Sequence, residues 1–202
     1  HCMGVYAEGL RLAATGAPAE AVFNSIFRLQ LLAAHRVGSG GVHELNQQVE
    51  KQLALRGLLR SGDTWYPGRP VLVTRNDYNL RLFNGDVGVV LRDPDQSERL
   101  KAVFAQPEGG WRAISPGRLP EHETAYAMTV HKSQGSEFNS VIMVLPERAS
   151  LILSRALLYT AITRATDRLE IWGSTEILEE AIRCRARRAS GLRDRLCFVG
   201  VT

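Results

Sequence analysis

Lysine and cysteine are both scarce in this sequence. Only Lys51, Lys101 and Lys132 stand among the 25 basic residues, and the cysteines are Cys2, Cys184 and Cys197. Three widely spaced thiols without a C-x-x-C pair exclude a disulfide framework and a zinc site of ordinary spacing. They fit a reducing cytoplasm, the expected location. No apolar run approaches the roughly 20 residues needed to cross a bilayer, so no membrane contact is expected. A basic-then-apolar leader is absent and the first residue is His1, not Met, which reads as a piece of a longer chain. Internal repeats and low-complexity segments are absent too.

The rest of the composition is ordinary for a soluble globular protein. The 202 residues are 45% hydrophobic and 23% charged, enough for one or two domains with a real core. The net charge of +4 is unevenly spread. From Ala181 onward there are six arginines (Arg183, Arg185, Arg187, Arg188, Arg193, Arg195) against Asp194 alone. That end carries +5, so the remainder sums to about −1. The basicity belongs to the tail and is no evidence that the body binds nucleic acid.

Residues 1–27 read as a helical lead-in, two short amphipathic stretches around Gly16-Ala17-Pro18, with Pro18 in the first turn of the second. Leu29 to Ala34 is a buried-strand run, Gly38 to Gly41 a flexible turn, and Val42 to Arg56 a helix. Strand, glycine turn and helix together invite a phosphate-loop reading. Such a loop needs a lysine reaching the terminal phosphates and a hydroxyl on the metal. None of the three lysines follows a glycine, and no acidic pair closes an apolar run. This chain therefore lacks Walker A and Walker B elements.

Gly57 to Pro67 is a polar linker, and from Gly68 the texture changes. VLVTR, DVGVVLR, RLKAVFA and WRAIS alternate as short strands, separated by Asn84-Gly85, Asp93-Pro94-Asp95 and Glu108-Gly109-Gly110. Four or five such strands suggest a small closed barrel of the SH3-like type. Its longest loop holds Arg75, Tyr78, Asn79, Arg81 and Phe83, as turn-forming and packing residues or as contacts to DNA. Leu119 to Glu123 returns the chain to an α/β body.

That body is organised around Thr124 to Pro146, TAYAMTVHKSQGSEFNSVIMVLP. Two apolar runs, Ala125 to Val130 and Val141 to Leu145, flank the polar segment His131 to Glu137. This reads as two buried strands of a parallel sheet, whose loops are where ligands bind. A helix from about Ala149 to Ala165, a strand at Leu169 to Trp172 and a helix over 174–189 follow. Ser174 or Thr175 serves as N-cap, and the arginines lie at the favourable end of the helix dipole. Docking of that arginine-rich end on DNA or on a partner subunit is the sharper alternative to a solvated helix end.

Two segments carry a resemblance. Thr129 to Phe138 has the form T-x-H-x-x-Q-G-x-E-[FW], and Tyr159 to Ala165 reads Y-T-A-x-T-R-A. In order and spacing they resemble the fifth and sixth motifs of superfamily 1 helicases. RNDYNLRLFNGDVG (Arg75 to Gly88) and RLPEHETAYAMTVHKSQGSEF (Arg118 to Phe138) resemble the RecD branch, the alpha subunit of exodeoxyribonuclease V, over nearly the whole chain. The resemblance implies an α/β fold: a RecA-like, P-loop-NTPase-type parallel sheet, the second helicase motor domain, with an inserted SH3-like β-barrel. The expected limits are 28–66 and 120–189 for the discontinuous RecA-like domain, 67–119 for the insertion and 190–202 for a basic tail.

It further implies an ATP-dependent 5′-to-3′ DNA helicase of double-strand-break repair and recombination. ATP and Mg²⁺ are implied for the full-length protein, with none bound by this fragment alone. The implied partners are single-stranded and duplex-end DNA, RecB-like and RecC-like subunits and the missing N-terminal motor domain. No nuclease acid cluster is present. Arg164 matches the arginine finger, as against a helix-end arginine capping carbonyls or pairing with Asp167. Gln134, Gly135 and Glu137 match the nucleotide-facing turn, Glu137 suiting a sugar hydroxyl better than a phosphate. Arg36, after the first strand, is the candidate for the fourth motif. Thr129, His131 and Lys132 match the DNA-facing side, where hydroxyl, imidazole and ammonium groups hold phosphates without reading bases. A DNA- or subunit-binding module without motor role and a stand-alone RecD-like helicase are the competing readings.

Overall fold

The computed structural model describes residues 2–96, 99–150 and 152–184. Elements are numbered in chain order. The apolar runs of the sequence become a four-stranded parallel sheet of β1 (Leu29–Ala33), β7 (Ala127–Thr129), β8 (Phe138–Val144) and β9 (Ala165–Trp172), in the order β7-β1-β8-β9. Leu31 of β1 stands opposite Ala127 on one side and Ile142 on the other. β1 is buried along its whole length, which is why LQLLA lacks the polar alternation of a half-exposed strand.

Helices cover both faces. Residues of α1 (Cys2–Ala14) and α3 (Val42–Leu55), among them Tyr6, Leu10, Val49 and Leu53, pack with Leu29, Leu31 and Ile142. On the other face α2 (Ala19–Phe27), α4 (Arg155–Ile162) and α5 (Thr175–Arg183) contribute Ile26, Leu158 and Ala181 to a cluster with Leu32, Val141 and Met143. Pro18 is the N-cap of α2. The helix expected from Ala149 begins later, because Ser154 caps it by accepting from the Leu157 amide at 3.4 Å. It ends by Thr163, because Phe138 N–H bonds Arg164 C=O and draws the chain into β9. Ser174 caps α5 in the same way, accepting from Ile177. The arginines at 185, 187, 188, 193 and 195, the rest of the expected last helix and the tail 190–202 lie outside the described residues.

The second sheet is antiparallel: β2 (Pro70–Val73), β3 (Val87–Arg92), β4 (Leu100–Ala105), β5 (Trp111–Ile114) and β6 (His122–Thr124), in the order β5-β4-β3-β2-β6. Its core holds Val71, Val73, Leu82, Val90, Phe104 and Ile114. Gly88 permits the close β3–β4 approach, since a Cβ there would stand 2.6 Å from Val103 O. β6 follows the expected end of the insertion at 119 and pairs with β2, so the chain re-enters the parallel sheet from the edge of the second one. Phe23 of α2 meets Trp111 of β5 with ring centroids 5.4 Å apart, tying the two sheets together.

Candidate nucleotide and nucleic-acid interface

The polar segment after β7 folds into a turn that bonds to itself. The Lys132 amide donates to Thr129 C=O at 2.9 Å and lies 3.3 Å from Thr129 Oγ1. Ser133 is fully buried, and its hydroxyl donates to Val130 C=O at 2.8 Å, pinning the turn from beneath. These bonds push His131, Gln134 and Glu137 out into solvent. Gly135 has φ +88° and no atom within 4 Å of a would-be Cβ. Backbone in that conformation, beside open space, lets a ligand come close. Lys132 is half-buried, with its ammonium on Asn84 Oδ1 in the turn between β2 and β3.

Arg164 follows α4 and reaches back to this turn. Its Nη1 donates to Ser136 C=O at 2.9 Å, Nε to Thr160 C=O at 3.3 Å and Nη2 to Thr163 Oγ1 at 3.3 Å. Asp167 is bonded instead by Asn139 Nδ2 at 3.0 Å. Among the described residues no carboxylate forms an ion pair with Arg164. The guanidinium is therefore oriented by neutral acceptors while its charge stays uncompensated. That is the arrangement an anionic group such as a terminal phosphate fits.

The fold thus joins Arg164 to the Gln134–Glu137 turn and sets Thr129, His131 and Lys132 at the start of that turn. Arg36 is placed differently. It is largely exposed after β1 and pairs with Glu123 of β6 at 2.8 Å. Among the described residues no group of three His, Cys, Asp or Glu is disposed to hold a metal, and no helix is long and apolar enough to cross a membrane.

Ser133 and Asn46 escaped the sequence reading. Asn46 lies on the buried stripe Val42, Asn46, Val49, Leu53 of α3. A polar residue on an apolar stripe is the signal that would have found it.

Residues 124–171 match the UvrD-like helicase C-terminal domain. The match spans the self-bonded turn and Arg164, and it gives this stretch of the α/β body the class of a UvrD-like helicase C-terminal domain. RecBCD enzyme subunit RecD of Mycobacterium tuberculosis is 44% identical over 191 residues, 95% of this chain and 32% of that protein. The RecD subunit of Mycolicibacterium smegmatis is 45% identical over 172 residues, 85% of this chain and 30% of that one. The chain belongs to the RecD family. The ATP-dependent RecD2 DNA helicase of Deinococcus radiodurans is 35% identical over 171 residues, 83% of this chain and 23% of that protein. The chain thus spans about a third or less of these relatives. Among solved structures, Bacteroides Pif1 helicase with ADP-AlF3 and ssDNA aligns over 96% of this chain and 53% of its own, at 14% identity and a TM-score of 0.44.

Proposed function

We propose that this chain is the second motor domain of an ATP-dependent 5′-to-3′ DNA helicase that serves double-strand-break repair and recombination. One observation carries the reading. Arg164 is fixed on Ser136 of the Gln134–Glu137 turn, with no carboxylate to neutralise it among the described residues. An arginine delivered to a transferring phosphate is worth on the order of 10³–10⁵ in rate. Bound ATP with Mg²⁺ supplies the phosphoryl chemistry, and both are held mainly by the Walker half of the full-length protein. Gln134 and Gly135 approach the nucleotide, and Glu137 accepts from its sugar hydroxyl. Arg36 joins them on exchanging its Glu123 pair. Thr129, His131 and Lys132 hold phosphates of a single strand.

The domain is discontinuous, 28–66 and 120–189, with a basic tail and an SH3-like insertion at 67–119 that takes β6, just past its end, as its fifth strand. A four-strand meander, a 3-10 turn at Pro116–Arg118 and a fifth strand returning to the first support the SH3-like reading of the second sheet. RecB-like and RecC-like subunits are the partners proposed, in a cytoplasmic complex. The 44% and 45% identities to RecD subunits, against 35% to the RecD2 helicase, favour that assembly over a stand-alone enzyme.

The test uses the full-length protein and the 202-residue chain side by side on duplexes with 5′ or 3′ tails. Unwinding of the 5′-tailed duplex with ATP is expected from the former, and neither hydrolysis nor unwinding from the latter. Preference for the 3′ tail, or ATP hydrolysis by the chain alone, contradicts the reading.

A further inference from the structure

The joint between the two sheets is held by side chains. β6 ends at Thr124, β7 begins at Ala127, and β7 has a strand partner, β1, on one side only among the described residues. On the other side Asn46 of α3 stands where a neighbouring strand would stand. Its Oδ1 accepts from the Ala127 amide at 2.9 Å, and its Nδ2 donates to Ala127 C=O at 3.2 Å and Thr124 C=O at 2.9 Å. One bond accepted from a residue and one donated to it is the exchange a strand makes across an antiparallel ladder. Only a carboxamide offers an acceptor and two donor hydrogens at one end of a side chain this short.

The two carbonyls between are covered as well. Gln30 Nε2 donates to Ala125 C=O at 3.3 Å and Tyr126 C=O at 3.0 Å, and Tyr6 Oη donates to Tyr126 C=O at 3.1 Å. The carbonyls of residues 124–127 thus all take a side-chain bond from α1, β1 or α3. Asn46 is 7% exposed, so water does not compete for its share.

What this joint aims is the site. Two residues past Ala127, Thr129 closes β7 and anchors the turn, and Lys132 then reaches Asn84 of the second sheet. We infer that Asn46 is a positioning residue. It locks the β6–β7 joint so that the Thr129–Lys132 turn and the Asn84 turn present one fixed surface to a single strand. Asn46 itself touches no nucleic acid, and the inference rests on the motor reading above.

A purely structural Asn46 would change stability and nothing else. The comparison is therefore made in the full-length protein between Asn46→Ala, Asn46→Ser and Val49→Ala, the last a truncation on the same buried face that removes packing but no hydrogen bond from the joint. Two readouts are taken at matched loss of Tm: amide hydrogen exchange over 127–132, and affinity for a labelled oligo-dT strand. Asn46→Ala is expected to speed exchange there and to raise Kd about tenfold, the scale of losing a set of buried hydrogen bonds. Asn46→Ser is expected to fall between, and Val49→Ala to leave both unchanged. If Asn46→Ala does not fold, Asn46→Ser carries the comparison. The inference is overturned if the Asn46 variants behave as Val49→Ala does, or if exchange quickens while Kd stays put. Failure of the unsubstituted protein to bind oligo-dT overturns the motor reading instead, and the exchange data still decide whether Asn46 locks the joint.

Discussion

Arg164 and Lys132 are the two cations on which the proposed function leans most. Each is oriented by neutral oxygen atoms, Arg164 by Ser136, Thr160 and Thr163, and Lys132 by Asn84. Neutral partners fix direction without spending charge, so the cation keeps its attraction for phosphate. For Lys132 this gives a measurable consequence. Replacing it with Ala in the full-length protein should weaken single-strand binding alike for all sequences. The slope of log K against log salt should fall by about 0.7, the value of one phosphate contact on a single strand. An unchanged slope would assign Lys132 to its Asn84 bond alone. At this scale the sequence was informative where a motif names residue types in order, as from Thr129 to Glu137. It was silent on Ser133 and Asn46, whose work is hydrogen bonding to backbone distant in sequence or hidden under a turn.

Among elements, the contact of α1, α3, the 57–67 linker and the β6–β7 joint runs through three buried phenols. Tyr6 bonds Tyr126 C=O, Tyr66 donates to Glu50 Oε1 at 2.7 Å, and the Tyr66 and Tyr126 hydroxyls lie 3.2 Å apart. Burial pushes all three hydroxyls well above the ordinary phenol range, with neighbouring ionisable groups adding to it at Tyr6 and Tyr66 and the Tyr66 hydrogen bond offsetting part of it at Tyr126. Groups raised in the folded state contribute stability that is complete below the unfolded value, about pH 10, and lost as pH climbs toward the folded one. Each phenol that stays protonated contributes a slope of up to about 1.4 kcal/mol per pH unit in that window. Urea midpoints should therefore hold steady to about pH 9 and drop steeply beyond pH 10. Tyr66→Phe should cost about 1 kcal/mol at neutral pH and make the alkaline drop shallower. A profile that the substitution leaves unchanged would remove Tyr66 from the account. Tyr6, Tyr66 and Tyr126 are 60 or more residues apart in sequence, which is why no local pattern announced the cluster. Helix ends were misjudged for a related reason: Ser154 and the β8–β9 pairing set the length of α4, not its apolar spacing.

On the scale of the whole molecule, the described residues form two sheets that share one joint. The parallel sheet was legible because buried strands read as continuous apolar runs, and the second sheet because glycine and asparagine turns punctuate alternating strands. The seam between them was not, because β6 lies in a stretch with no strand-like alternation and finds its partner, β2, some fifty residues earlier. Function on this scale means coupling. On the proposed reading, a nucleotide at Arg164 and a strand near Lys132 would share a turn only a few residues long, so closing a cleft around one would move the other. The measurement that tests this most directly follows DNA-stimulated ATP hydrolysis by the full-length protein and its Arg164→Ala variant. The predicted result is a loss of about a thousand-fold with single-strand affinity retained. Hydrolysis at the unsubstituted rate would contradict it and leave Arg164 as a helix-end arginine that caps carbonyls.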